Sequence, residues 1–114
     1  MILIVGGAYQ GKGELALKLA GGDRERIVFN VHERIQAGLR AGKTREEMEA
    51  ELLLEASSKE EKILTADEVG CGIVPVDAGL REYREVTGRI LCVLAKEARE
   101  VYRMTAGLPI QIKG

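Results

Sequence analysis

The chain has 114 residues, and its 17 Lys and Arg against 18 Asp and Glu leave a formal net charge of −1 at pH 7. This length is that of one small domain, and 46% hydrophobic with 31% charged residues is the balance of a globular core inside a mixed-charge surface. The near-neutral charge argues against a broad basic face for nucleic-acid phosphates, and no stretch is long and apolar enough to span a membrane. We therefore expect neither nucleic acid nor a membrane as a partner.

The cysteines and the first residues favour a cytoplasmic protein. Cys71 and Cys92 are far apart and outside any metal-ligand spacing, so neither a disulfide framework nor a zinc site is predicted. The apolar residues 1–5 are too few for the hydrophobic region of a signal peptide, and Gly6 and Gly7 interrupt them. A reducing cytoplasm fits these features best.

Apolar periodicity predicts alternating strands and helices along the chain. Strands are predicted over residues 2–5, 27–29 and 62–66, and helices over residues 14–20, 32–41, 44–57 and 77–98. Thr44 and Glu47 fit a capping box at the start of the third helix. Residues 70–75 are predicted to form a loop, and residues 101–104 and 109–112 a closing hairpin around Ala106 and Gly107. The stripe expected to be buried on the last helix contains Leu80, Tyr83, Thr87, Ile90, Leu91, Leu94 and Ala98.

This order predicts one α/β domain over residues 1–114 with three layers, in which helices cover a sheet on both faces. The sheet is expected to be parallel at first and to end in an antiparallel hairpin. Ligands on such sheets bind at the carboxyl ends of the strands. A chain this short buries its surface inefficiently, so association with further copies of itself is also expected.

A glycine-rich stretch between the first strand and the first helix resembles a phosphate-binding loop. Its residues, predicted to bind a nucleotide, are Gly6, Gly7, Ala8, Tyr9, Gln10, Gly11, Lys12 and Gly13. They follow G-x-x-x-x-G-K-[ST] except in the last position. In such a loop the backbone N–H groups surround phosphate oxygens at the positive helix end, and the lysine reaches the outer phosphates.

Two features bear on what this loop could do. Gly13 has no hydroxyl to offer Mg²⁺, so the loop could bind phosphate while its metal ligand is lost. The alternative is an ordinary tight turn between strand and helix. Lys12 argues against that alternative, because a lysine at a helix start is repelled by the helix dipole unless an anion is present.

Further motifs resemble the bifunctional adenosylcobinamide kinase / adenosylcobinamide-phosphate guanylyltransferases of cobalamin biosynthesis. Residues 64–75 (LTADEVGCGIVP) are similar to that family's "NEVGxGIVP", and residues 81–89 (REYREVTGR) to its "RxFRDxxGR". Residues 106–113 (AGLPIQIK) resemble its terminal "SGxPxxIK", and residues 2–12 its "ILVTGGxRSGK". The middle of this chain is much shorter than in the usual family member.

The resemblance implies a P-loop fold, GTP or ATP as ligand and a trimer built through the sheet domains. Members of the family phosphorylate adenosylcobinamide, then attach GMP to a histidine just after "RIQ" and pass it to the new phosphate. Here Arg34, Ile35 and Gln36 precede Ala37, so that nucleophile is missing. The pair Leu91 and Cys92 likewise replaces the family's Asn-Gln pair.

Three nearby side chains remain to be assigned. His32 lies five residues before Ala37, a net turn of about 140° on a helix, so it is not expected to replace the nucleophile. It is interpreted as a partly solvated residue near a helix start. Glu68 matches the family's loop glutamate, and its carboxylate could hold Mg²⁺ through water or bond a base or ribose. Asp67 beside it could partly compensate for Gly13 as a metal ligand, although a solvated pair of carboxylates is the alternative.

Two functions stay open on these grounds. The first is a catalytically impaired, nucleotide-binding relative of the family, with GTP or ATP as ligand and Mg²⁺ doubtful; kinase activity alone would need Asp67 or Glu68 to hold the metal. The second is a non-catalytic regulatory or scaffold module that binds a nucleotide, a corrinoid or a homologous partner.

Overall fold

The computed structural model describes residues 1–69 and 77–114 and contains five strands and four α-helices in this part of the chain. In chain order these are β1 (Ile2–Gly6), α1 (Lys12–Leu19), β2 (Ile27–Val28), α2 (Val31–Arg40), α3 (Arg45–Ala56), β3 (Ile63–Asp67), α4 (Ala78–Glu97), β4 (Glu100–Thr105) and β5 (Leu108–Lys113). A short 3₁₀ turn, Arg24–Arg26, precedes β2. The predicted loop over residues 70–75 lies outside the described residues.

The strands form one sheet in the order β2-β3-β1-β4-β5. β1 is central and parallel to both β3 and β4, β2 is parallel to β3, and only β5 is antiparallel to its neighbour. All five residues of β1 are buried, as expected for an apolar strand covered on both faces. The predicted α/β fold with an antiparallel C-terminal edge is therefore confirmed.

Helices cover the sheet on both faces and complete the predicted three layers. On one face α1 packs Ala16 against Ile2 and Ile4 of β1. On the other face Leu3 and Val5 of β1 join a larger core, to which α2, α3 and α4 contribute. The alternation of side chains along β1 thus divides the core in two, and among the described helices α1 contributes to one part and α2, α3 and α4 to the other.

The predicted capping box at the start of α3 is confirmed. The Thr44 hydroxyl accepts from the backbone N–H of Glu47 at 3.1 Å, and the Glu47 carboxylate accepts from the backbone N–H of Thr44 at 3.3 Å. At the start of α4 the Asp77 carboxylate accepts from the N–H of Leu80 at 3.0 Å. These side chains satisfy N–H groups that the first helical turn leaves unpaired.

The apolar stripe of α4 is buried over its second half, and the prediction was wrong at its start. Thr87, Ile90 and Leu94 are fully buried, whereas Leu80 is 49% exposed. A 20-residue helix is about 30 Å long, whereas a five-residue strand spans about 16 Å, so the first turns of α4 extend past the sheet.

The described helices contain no segment long and apolar enough to cross a membrane.

Substitution of Thr87 by Val is expected to stabilise the protein. It is fully buried in α4, and its Oγ1 has no hydrogen-bond partner within the described residues. Thr87→Val removes this unpaired hydroxyl at nearly constant volume, so we expect the free energy of unfolding to rise by about 1 kcal/mol. Thr44→Val is the matched control: it removes the α3 cap and should lower stability by about 1 kcal/mol. Urea unfolding measures the change in the free energy of unfolding for both variants. A loss of stability in Thr87→Val would show that its hydroxyl is not an unpaired buried group.

A second prediction concerns acid stability. Arg99 donates to both carboxylate oxygens of Glu61, at 2.8 and 2.7 Å, and joins the segments that precede β3 and β4. This pairing, helped by the α-amino group of Met1, lowers the pKa of Glu61 from 4.5 to about 2. Because the folded-state pKa is depressed, the stabilisation is complete above about pH 4.5 and is lost as the pH falls through 2.

We therefore expect Glu61→Gln to lower the free energy of unfolding by about 1 kcal/mol at pH 7, a small value because solvent partly screens the ion pair. The difference from wild type should shrink as the pH falls from 4.5 to 2. Thermal unfolding across this range measures it, with Glu60→Gln as a control for loss of one charge. A difference that does not change with pH would assign the effect to packing instead.

Candidate functional site

The glycine loop connects β1 to α1 and wraps around the start of that helix. Gly11 precedes the helix with φ 87°, a left-handed conformation that glycine adopts readily. At the other end, Gly6 lies so close to β4 that an added Cβ would be 2.7 Å from the backbone oxygen of Met104. Both glycines are therefore required by geometry, and the loop presents the unpaired N–H groups of the first turn of α1.

An open cleft of about 470 Å³ lies over this loop, and we call it the loop cleft. Its walls come from the loop, the start of α1 and the segments at the carboxyl ends of β2 and β3. The lining residues are Ala8, Tyr9, Gln10, Gly11, Lys12, Gly13, Glu14, Phe29, Asn30, His32, Glu33, Thr65 and Asp67. Six of the eight loop residues singled out in the sequence are among them, and Gly6 and Gly7 lie directly before these six.

Lys12 lines the loop cleft although its side chain is almost fully buried. The residue is 7% exposed, and its Nζ donates to the backbone oxygen of Gly7 at 2.6 Å. The same ammonium lies 2.7 Å from Oδ1 of Asp67, the last residue of β3. In the structure, the Asp67 carboxylate is thus the anion beside this lysine at the positive end of α1, and phosphate binding by Lys12 stays a prediction.

Asp67 also holds His32, at the start of α2. The backbone N–H of Asp67 donates to Nδ1 of His32 at 2.9 Å, and Nε2 lies 3.4 Å from Oδ2 of Asp67. Because Nδ1 accepts, the ring proton lies on Nε2, on the side of the carboxylate. Lys12, Asp67 and His32 thus form one connected network at the base of the cleft.

The interpretation of His32 as a partly solvated residue was wrong. It is buried, because Asn30 adopts a left-handed conformation (φ 56°) that places the first turn of α2 against the end of β3. Both ring nitrogens face groups of Asp67, an arrangement that holds the ring rather than presenting a nucleophile. That His32 does not replace the missing histidine stays a prediction.

Ala37 lies away from the loop cleft. It lines a separate cavity of about 260 Å³ between α2 and α3, together with Gly38, Met48 and Leu52. His32 and Ala37 therefore point in different directions, as their spacing on the helix predicted.

Asp67 and Glu68 diverge, although they are adjacent in sequence. Asp67 faces Lys12, whereas the Glu68 carboxylate accepts from Arg103 of β4 at 2.9 Å, and Glu68 is not among the described residues that line the loop cleft. Successive side chains at the end of a strand point to opposite sides, which explains the separation. A nucleotide contact by Glu68 stays a prediction.

A resident metal site is not assembled by the residues that the structure describes. They contain no group of three or more His, Cys, Asp or Glu side chains that could hold an ion. Gly13 contributes no oxygen, although a Cβ there would be 3.8 Å from the Phe29 ring and has room. The donor set therefore does not fit a tightly held Mg²⁺, and metal binding by Asp67 or Glu68 stays a prediction.

Sequence reasoning missed several cleft residues. Phe29 and Asn30 follow β2, Thr65 lies in β3, and Glu33 lies in the first turn of α2. The Thr65 hydroxyl accepts from the backbone N–H of Asn30 at 3.0 Å and so fixes the wall of the cleft. The rule that ligands bind at the carboxyl ends of strands is the signal that could have indicated the Phe29–Asn30 segment, but no local pattern gives the strand order that places it beside Asp67.

Tyr83 of α4 forms a hydrogen bond with the start of α2. Its hydroxyl donates to the backbone oxygen of His32 at 3.3 Å. Burial raises the pKa of Tyr83, and the carboxylates of Asp67 and Glu33 raise it further. The phenol therefore stays protonated and keeps its hydrogen bond at neutral pH.

Comparison with known proteins gives the family. The family model for "Cobinamide kinase / cobinamide phosphate guanyltransferase" matches residues 25–112, which is most of the chain. The chain belongs to this family. The match begins after residue 24, so the assignment of the glycine loop depends on the geometry described above and on its own motif.

Two curated relatives agree with the family match. The chain is 39% identical over 51 residues to the bifunctional adenosylcobalamin biosynthesis protein CobU of Escherichia coli (strain K12). It is equally similar, 39% over 51 residues, to the protein of the same name from Salmonella typhimurium (strain LT2). Each alignment covers 45% of this chain and 28% of the relative, so the similarity spans less than a third of the relatives' length.

Proposed function

We propose that this member of the family binds a nucleoside triphosphate, GTP or ATP, in the loop cleft and acts in cobalamin biosynthesis. We further propose that it does not transfer guanylyl groups through a histidine. The observation that carries the proposal is the placement of Lys12. Its ammonium lies in the cleft, at the positive end of α1 and beside the glycine loop, and the start of a helix offers N–H groups to oxygen anions.

The phosphate groups are expected to contact the loop amides and Lys12. Residues 8–13 supply N–H groups along one wall of the cleft, and a polyphosphate extends far enough to contact several of them. The cleft volume of about 470 Å³ suits the phosphates and part of the nucleoside. The preference between GTP and ATP depends on contacts to the base, so both nucleotides are proposed as ligands.

Guanylyl transfer is excluded from the proposal on chemical grounds. A covalent guanylyl intermediate needs a nucleophile, and the methyl group of Ala37 provides none. His32, the one histidine of the chain, is engaged by Asp67 through both ring nitrogens. The absent hydroxyl at Gly13 also makes Mg²⁺ doubtful as a resident cofactor, which weighs against fast phosphoryl transfer.

Calorimetric titration of the chain with GTP and ATP, each with Mg²⁺ and with EDTA, tests the proposal. Binding of either nucleotide with a dissociation constant below about 1 mM is the expected result. Inorganic tripolyphosphate, added to the same solution, should compete with the nucleotide for this site because it offers the same phosphate oxygens. If neither nucleotide binds, the proposal is wrong.

A second candidate is a non-catalytic regulatory or scaffold module that binds a nucleotide, a corrinoid or a homologous partner. The simultaneous loss of donor groups at Gly13 and Ala37 favours it, since either loss alone would impair one reaction only. Incubation with adenosylcobinamide and GTP or ATP, followed by separation of the products, distinguishes the two. Phosphorylated adenosylcobinamide supports a kinase that has lost guanylyl transfer, and its absence together with nucleotide binding supports the module.

A homo-oligomer, a trimer by resemblance, is proposed as the assembly. β5 is an edge strand of the described sheet, and its side chains Leu108, Ile110 and Ile112 are all more than half exposed. Alternating apolar side chains on an edge strand are typical of a surface that pairs with another chain. Sedimentation velocity gives the molecular mass, and a monomer at a protein concentration of about 100 μM would contradict the trimer.

A further inference from the structure

Tyr9 lies in the glycine loop with its ring entirely in solvent. The residue is 104% exposed, and its backbone has φ 60°, a left-handed conformation that bulky residues rarely adopt. Its side chain has no hydrogen bond, ion pair or ring contact with any residue that the structure describes. The stability of the loop therefore does not explain why a tyrosine occupies this position.

The other aromatic side chains of the chain each have a partner. The Tyr83 and Tyr102 hydroxyls donate hydrogen bonds, and the Arg24 guanidinium lies 5.2 Å from the centre of the Phe29 ring. In the motif "ILVTGGxRSGK" the position of Tyr9 is an arginine, so the ring distinguishes this chain from that motif.

Tyr9 lies at the border between the loop cleft and a second cleft, which we call the hairpin cleft. The hairpin cleft has a volume of about 460 Å³ and lies between α1, the glycine loop and the turn of the β4–β5 hairpin. Tyr9, Gln10, Gly11 and Glu14 line both clefts. A ligand bound in the loop cleft can therefore extend across the Tyr9 ring into the hairpin cleft.

The surroundings of Tyr9 suit the binding of a flat, apolar surface. Leu15 and Pro109 give the hairpin cleft apolar walls. The neighbouring residue, Gln10, is held in place because its Oε1 accepts from the backbone N–H of Ala106 at 2.6 Å. A tyrosine has only two side-chain torsions, so fixing its ring against a ligand costs little conformational entropy.

We propose that the Tyr9 ring stacks on the purine base of the bound nucleotide and that the hairpin cleft receives this base. This inference rests on the proposed function and adds the contact that binds the base. Stacking uses the aromatic face that every base has, and a purine offers two fused rings where a pyrimidine offers one. Tyr9 is therefore a specificity-determining residue that favours purine over pyrimidine nucleotides and binds GTP and ATP alike.

Calorimetric titration of Tyr9→Ala with GTP, ATP, UTP and tripolyphosphate tests this inference. We expect the affinity for GTP and ATP to fall about tenfold and the affinity for UTP about threefold or less. Tripolyphosphate has no base and measures the phosphate contacts alone, so its affinity should change about twofold or less. Tyr9→Phe retains the aromatic ring and should bind all four ligands within about twofold of wild type.

Leu54→Ala is the control for removal of an exposed side chain outside both clefts, because Leu54 is 76% exposed on α3. We expect it to bind every ligand as wild type does. Since the Tyr9 side chain has no partner among the described residues, Tyr9→Ala should unfold within about 3 °C of the wild-type temperature.

Nuclear magnetic resonance of the chain with ring-labelled tyrosine gives a readout that does not depend on affinity. The ring signals of Tyr9 are those that disappear in Tyr9→Phe. GTP should shift these signals because the base lies over the ring, and tripolyphosphate should shift them much less.

The outcomes separate this inference from the proposed function. Equal losses of affinity for GTP and tripolyphosphate in Tyr9→Ala would assign the effect to the shape of the loop and overturn the inference. Unchanged affinity of Tyr9→Ala for GTP and ATP also overturns it, while nucleotide binding stands. If neither GTP nor ATP binds to the wild-type chain, the proposed function is wrong and the inference is wrong with it.

Discussion

Lys12→Ala is expected to lower the affinity for GTP and ATP about 100-fold, whereas Lys18→Ala should change it about twofold or less. Both lysines lie in α1, at its first residue and in its last turn. Only Lys12 lines the loop cleft, where its ammonium is shielded from water and its contact with phosphate is correspondingly strong. Calorimetric titration of the two variants under one set of conditions measures the difference.

Removal of Lys12 also leaves Asp67 without its cation, and this must be separated from the loss of binding. A partly buried carboxylate that loses its partner destabilises the fold by about 2 kcal/mol, so Lys12→Ala should unfold at a lower temperature. The double variant Lys12→Ala with Asp67→Ala removes both charges and should recover most of the stability. Its affinity for nucleotide should stay as low as that of Lys12→Ala, because the phosphate contact is absent.

Recovery of binding in the double variant would show that Lys12 acts only by neutralising Asp67. Equal losses in Lys12→Ala and Lys18→Ala would show that binding depends on net charge and not on the cleft. Either result contradicts the assignment of Lys12 to the outer phosphates.

Leu94→Ala is expected to lower the free energy of unfolding by about 3–4 kcal/mol. Leu94 is fully buried, with 0% of its surface exposed, in the core that joins α4 to β1 and to α2. Its truncation removes apolar contacts and leaves a cavity between the helix layer and the sheet. In a small domain this loss is a large part of the total stability.

Leu54→Ala makes the same chemical change on α3, where the side chain is 76% exposed. We expect this control to differ from wild type by about 0.5 kcal/mol or less. Urea unfolding monitored by circular dichroism compares the two variants. Similar costs for both would mean that α4 does not pack on the sheet as described.

The elements of the fold could be predicted because their causes are local. The buried run of β1, the cap at Thr44 and the turn at Ala106 each depend on residues within a few positions of one another. The strand order β2-β3-β1-β4-β5 depends on contacts between distant segments, and no local pattern encodes it. Leu80 illustrates the limit, since its periodicity is right but the sheet that would bury it ends too early.

The candidate site divides in the same way. The loop and Lys12 could be predicted as a candidate site because their spacing follows a motif that the sequence displays directly. The burial of His32 was missed because it arises from the left-handed turn at Asn30 and the end of a strand 35 residues away. Glu68 was placed with Asp67 because they are adjacent, whereas side-chain alternation sends them to different partners.

The side chain of Gln10 gives the glycine loop a reporter at the other end of the chain. Its Oε1 accepts from the backbone N–H of Ala106, in the turn between β4 and β5, at 2.6 Å. The exchange rate of this amide hydrogen with deuterated solvent therefore depends on whether the loop keeps its position. Any ligand that rearranges the loop should be visible at Ala106, 96 residues away in sequence, even when it touches nothing in the hairpin.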